Sequence, residues 1–172
     1  MNMKVKILLF MATILALTSC SKEDTKSARP PIFQGFSIMR GTEDHLSIVN
    51  PGDVITITAE QSANGRHIYG AHHKWTLVLP GETEARLSYE TSNGRVESST
   101  DNPTWKVTIP DDAQVGTCRV QFSASWGNAS DGTTGTYRGT TGPGCLGQIT
   151  STCSTLYSKA TGQFTFRIQN KQ

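Results

Sequence analysis

The chain is 172 residues long, and what it lacks narrows its identity first. It has no long segment with helical hydrophobic period, which excludes bundles and solenoid arrays of helices. Its longest apolar run, residues 7–17, is broken only by Thr13 and is too short to span a bilayer, since a spanning helix needs about 20 apolar residues. Charged residues make up only 17% of the chain. With the two lysines of residues 1–19 set aside, fourteen basic and fourteen acidic residues remain, so the remainder is formally neutral. A nucleic-acid binder is expected to carry a basic excess, and none is present in the composition. Neither G-x-S-x-G nor H-E-x-x-H occurs, and no D-x-D-x-D-G loop surrounds Asp111 and Asp112. His72 and His73 adjoin on a predicted strand, where neighbours point to opposite faces, so they do not readily share one ion. Glu82 and Glu84 alone make a poor case for glycoside hydrolysis. These absences predict a non-enzymatic protein with no metal site and no cofactor.

The N-terminus, by contrast, is rich in signals. Lys4 and Lys6 precede the apolar run, and Leu17-Thr18-Ser19-Cys20 follows it. A basic flank, a short apolar stretch and small residues form the pattern of a secretory signal peptide, here residues 1–19. The four residues Leu17 to Cys20 resemble the lipobox of bacterial lipoproteins. The resemblance implies cleavage before Cys20 and lipidation of its sulfur. Each buried methylene adds about 0.8 kcal/mol of membrane affinity, and two or more chains anchor stably where one does not. Ser21 is followed by Lys22, Glu23 and Asp24. These three charges resemble the export signal of Bacteroidota surface lipoproteins, which implies an outer-membrane protein facing the cell exterior. Their plainer role is a solvated tether, assigned with Cys20 to residues 20–32.

Residues 33–172 read as one all-β domain. Cys118, Val120, Phe122, Ala124 and Trp126 alternate with polar residues, as half-buried strand residues do. Trp105-Lys106-Val107-Thr108-Ile109 and Phe164-Thr165-Phe166-Arg167-Ile168 repeat the pattern. Residues 54–59 are rich in β-branched side chains, and Trp75, Leu77 and Leu79 share a face. Residues 36–39 and 46–49 read as short first strands, and 87–89 and 95–97 as weaker edge strands. Turn signals separate the runs, among them Asn50-Pro51-Gly52-Asp53, Asn64-Gly65, Pro80-Gly81 and Asn93-Gly94. Seven or eight such strands predict an antiparallel β-sandwich.

Residues 104–126, TWKVTIPDDAQVGTCRVQFSASW, resemble the E–F strand pair of bacterial immunoglobulin-like and PKD-like domains. That resemblance implies an immunoglobulin-like sandwich with Trp75 as the core tryptophan of strand C. Cys118 stands where many of these domains carry tyrosine, so no tyrosine corner is expected.

Three cysteines remain besides Cys20, and an odd number cannot pair fully within one chain. Cys145 and Cys153 flank a short stretch and are the expected disulfide, with Cys118 a buried, inert thiol; a bridge from Cys118 to either of them is the alternative. Residues 127–162 read as a long loop before the last strand, holding GTTG twice. Long loops in compact domains are often functional. Trp126, Tyr137, Arg138 and Tyr157 are therefore the candidate ligand-binding residues, tyrosine supplying a face for a sugar ring and arginine a fork of donors. Alternatively, the loop is a solvated insertion and Trp126 belongs to the core. The reading that follows is a surface-exposed lipoprotein acting as a binding module for an extracellular glycan or protein. One form of it is a glycan-binding accessory to nutrient uptake, another an adhesin or surface-assembly component. A structural envelope lipoprotein facing the periplasm is the remaining alternative.

Overall fold

A computed structural model describes residues 27–92, 98–99 and 102–171. Residues 1–19, expected to be a signal peptide, Cys20, the Lys22-Glu23-Asp24 cluster and the edge strand expected at 95–97 lie outside the described residues. Twelve strands follow in chain order: β1 (Ile32–Met39), β2 (Ile48–Val49), β3 (Val54–Ala63), β4 (Gly65–Arg66), β5 (Ile68–Val78), β6 (Leu87–Ser92), β7 (Ser98–Ser99), β8 (Thr104–Thr108), β9 (Gly116–Asn128), β10 (Gly135–Arg138), β11 (Gln148–Cys153) and β12 (Tyr157–Ile168). No helix occurs among the described residues.

The strands form an antiparallel sheet β1-β3-β8 and a larger sheet β10-β11-β12-β9-β5-β6. Short β2 joins the larger sheet by pairing in parallel with the end of β12. β4 and β7 make a separate two-stranded ladder. The sheets face each other through their apolar positions. On β9 the residues expected inside are buried: Cys118, Val120, Phe122, Ala124 and Trp126. On β3, Ile55, Ile57 and Ala59 answer them from the small sheet. Aromatic rings bridge the layers. Phe36 of β1 stands edge-on to Trp75 and Phe122, each 6.0 Å between centroids, and Trp75 lies 4.4 Å from Phe122. Offset and edge-on pairs suit the ring quadrupole and add about 0.5–1.5 kcal/mol each beyond area burial.

Two expectations are corrected. Residues 127–162 are not a loop. They contain β10, β11 and the first half of β12, and the alternation of β11 (Ile149, Ser151 and Cys153 buried) was hidden because threonine and serine fill both faces. This added hairpin lies against the entry to β1. Gly139 packs so closely that an added Cβ would sit 2.2 Å from the Phe33 carbonyl oxygen. Gly147, at φ +62°, would meet the Gln163 carbonyl oxygen at 2.3 Å. Gly132 and Gly139 of the repeated GTTG, together with Gly147, thus permit close approach to backbone rather than flexibility. The body also begins earlier than residue 33. Ala28, Pro30 and Pro31 are buried, Ser151 Oγ donates to the Pro31 carbonyl at 2.6 Å, and Arg29 and Arg66 exchange backbone hydrogen bonds.

Candidate ligand face of the large sheet

The expected four-residue site does not assemble. Pairing register fixes which face each side chain takes, because paired residues of an antiparallel ladder project to the same side. Tyr137 pairs with Ser151, which pairs with Ala160, which pairs with Ala124; all but Tyr137 are buried, so Tyr137 faces inward. Its hydroxyl donates to the Thr133 carbonyl at 3.2 Å. Trp126 also faces inward and is 2% exposed, with its ring 5.9 Å from that of His73. Arg138 faces outward and donates from Nε to Thr150 Oγ1 at 3.1 Å. Tyr157 faces outward at 49% exposure. The inward pair serves the core, and the outward pair belongs to the solvent face of the large sheet.

Nor do Cys145 and Cys153 form a disulfide. Cys118, Cys145 and Cys153 are all free thiols. Cys153 ends β11, whereas Cys145 precedes its start, beside Gly35 and Gly142. β11 alone spans about 17 Å at a strand rise of about 3.4 Å, and a bridge requires Cα atoms within about 7 Å. The Cys153 thiol instead contacts the Ala28 carbonyl at 3.6 Å. Burial pushes the Cys118 thiol up to about 12, aided by the charge of Glu82, so it stays protonated.

The outward face has an order that the sequence conceals. Tyr157 pairs with Gly127, and Gly127 pairs with Tyr69 on β5. Tyr69 is exposed only because β5 carries a bulge at Gly70, φ +61°, which opposes an extra residue to β9. Ala71 then turns inward and His72 outward. The Tyr69 ring lies on the bare backbone of Gly127: a Cβ there would meet ring atoms at 2.4–2.8 Å. Two tyrosines about 10 Å apart, at about 4.8 Å per strand, thus flank a glycine on one row. Lys159 projects its ammonium 4.8 Å from the Tyr157 ring centroid, a cation–π contact.

Below that row the face is hydroxyl, amide and cation. One row reads Thr136, Thr152, Lys159, Ser125, His72 and Ser92. The next runs from Arg138 across Thr150, Thr161 and Ser123 to Lys74 and Glu90. Lys74 Nζ pairs with Glu90 at 2.7 Å, and this bond, with the lysine charge, draws the Glu90 carboxyl below its usual value. A shallow depression of about 240 Å³ lies over Lys74, Thr76, Gln121, Phe122 and Ser123. A second, about 320 Å³, is lined by Arg119, Gln163 and Thr165 together with Leu146, Gly147 and Phe164. The chain matches no family model, no curated protein and no solved structure.

Two arginine–carboxylate clusters lie elsewhere. Arg86 binds Asp112 at 2.6 Å and Glu82 at 3.2 Å, which holds Asp112 below its usual value. Burial alone would push the Asp53 carboxyl up, but the Asn50 N–H and the Arg40 guanidinium at 2.5 Å together hold it low. His72 and His73 point to opposite faces, as expected for strand neighbours. Among the described residues, no three histidines, cysteines or carboxylates gather as a metal site.

Proposed function

We propose that this chain is a lipid-anchored protein of the outer cell surface whose sandwich is a non-enzymatic glycan-binding module, an accessory to polysaccharide uptake. The Leu17-Thr18-Ser19-Cys20 and Lys22-Glu23-Asp24 signals support the anchor and its outward address. Strand order supports an immunoglobulin-like sandwich: β1, β3 and β8 stand as strands A, B and E, and β6, β5, β9 and β12 as C′, C, F and G. The β10–β11 hairpin is an addition beyond G.

The observation that carries the binding reading is the Tyr69–Gly127–Tyr157 row. An exposed ring held flat against a strand presents an apolar face at little conformational cost. The hydroxyl and amide rows below it offer paired donors and acceptors of the kind sugar hydroxyls take. The test is retention of the full chain, purified in detergent, on immobilised polysaccharides. Tyr69→Ala and Tyr157→Ala are each expected to weaken binding about tenfold, equivalent to about 1.4 kcal/mol. Gly127→Ala should weaken it too, because its methyl displaces the Tyr69 ring while leaving the core intact. Polysaccharide binding unchanged in all three variants would remove this site.

A second reading, a protein-binding adhesin or surface-assembly component, rests on β10. It is the last strand of its sheet, with β11 on one side and, among the described residues, no strand on the other. Such an edge can accept an added strand from a partner.

A further inference from the structure

The cations of this chain are not spread evenly. Residues 20–172 carry equal numbers of basic and acidic side chains. Yet the strand positions on the outer face of the large sheet hold Lys74, Arg119, Arg138, Lys159 and Arg167, against Glu90 alone, among the described residues. Glu90 is bound to Lys74. Arg119, Arg138, Lys159 and Arg167 make no ion pair among the described residues, whereas arginines 40 and 86, outside the strands, each hold two carboxylates. Opposite charges are thus removed from this face and gathered at the loops.

We infer that the ligand of this face is an acidic polysaccharide, one bearing carboxylate or sulfate groups along an extended chain. The inference rests on the glycan-binding reading above and names its substrate class. Lys159 lies one residue pair from the tyrosine row, so its ammonium reaches a charged substituent on a sugar stacked there. Arg138 and Lys74 lie one row further. Arg119 and Arg167 lie toward the other end of the sheet; on β12, Lys159 and Arg167 are about 27 Å apart at about 3.4 Å per residue. A ligand that meets them all is a polymer lying along the strands. A protein partner fits the face less well, since stable interfaces have an apolar centre with aromatic anchors. Here the central rows hold only hydroxyl, amide and charged side chains, and the tyrosines stand at one end.

The test measures binding of the full chain in detergent to five probes: polygalacturonate, dextran sulfate, uncharged dextran, polyglutamate and polyadenylate. At least one of the first two is expected to bind, with uncharged dextran at least tenfold weaker. That binding should fall at least tenfold between 0.1 and 1 M NaCl, as the screening length drops from about 10 to about 3 Å. The double variant Lys159→Ala/Arg138→Ala should lose at least tenfold for the charged glycan, with an unchanged melting temperature to show that the fold survives. Preference for carboxylate or sulfate identifies the substituent. Uncharged dextran bound as tightly as the acidic chains would overturn the acidic specificity and leave the glycan reading standing. Polyglutamate or polyadenylate bound as tightly as either glycan would overturn the inference by showing a generic anion surface. Retention of no polysaccharide at all would sink both readings together.

Discussion

At the scale of single residues, burial decides which groups can act. Three free thiols sit in different surroundings: Cys118 and Cys153 are buried and Cys145 is partly exposed. A thiol held near 12 is almost wholly protonated and is a poor nucleophile. A folded sample treated with a maleimide and no reductant should label Cys145 first. All of Cys118, Cys145 and Cys153 should label after unfolding in guanidinium, counted by mass spectrometry. A crosslinked Cys145–Cys153 peptide would contradict the structure. His73 behaves in the same spirit. Burial, with help from the adjacent His72, pushes its imidazole below the ordinary value, and it packs between Phe122 and Trp126. The unfolded chain therefore binds the proton more readily than the folded one. Stability contributed by neutral His73 is whole above the ordinary imidazole value and is lost as pH falls from there toward the folded one. Melting temperature should drop from pH 7.5 to 5.5, and His73→Phe should drop less. An equal drop in both would show that His73 is not the source.

At the scale of elements, what was legible in the sequence was strict alternation. β9, β8 and the second half of β12 were legible because apolar and polar residues alternate without interruption. β10 and β11 were not, since Thr, Ser and Gly carry no contrast between faces and the segment looks like a loop. The candidate site suffered the same way. Tyr157 and Arg138, expected within a loop, stand on strands instead, and both face solvent. The meeting of Tyr69 and Gly127 is not visible in the sequence, because it depends on register between β5 and β9 and on the Gly70 bulge. Gly70 in a strand-like run was the available signal for that bulge. Trp126 takes the core place that its alternation with Cys118, Val120, Phe122 and Ala124 predicts, whereas nothing in the composition around Tyr137 tells which face of the sheet it takes. The hairpin's glycines yield a direct test. Gly139→Ala places a methyl against the Phe33 carbonyl, backbone against backbone, where neither can rotate away. A loss of about 1–3 kcal/mol is expected from such overpacking, measured by urea unfolding. An unchanged midpoint would mean that the hairpin is not docked on β1.

At the scale of the whole molecule, the address and the face make one arrangement. Nothing in the described residues crosses a membrane as a helix, and the proposed attachment lies wholly at the N-terminus. Protease added to intact cells is expected to remove the sandwich while a periplasmic control protein survives. Protection until the outer membrane is opened would turn Lys22, Glu23 and Asp24 into a plain tether and move the search for partners to the periplasm.

The docking of the β1 entry has a mechanical consequence. Residues 28–36 are bonded on one side to β3 and β4 and on the other to the β10–β11 hairpin and its flanks, through contacts at Ser151, Cys153, Gly142 and Leu146. A chain held by its N-terminus and pulled by a bound polymer would feel the load enter here first. Several of these bonds lie across both sheets, so the load divides between the two layers instead of peeling one edge. The added hairpin is then a clasp: it fastens the point where the molecule would otherwise begin to unravel.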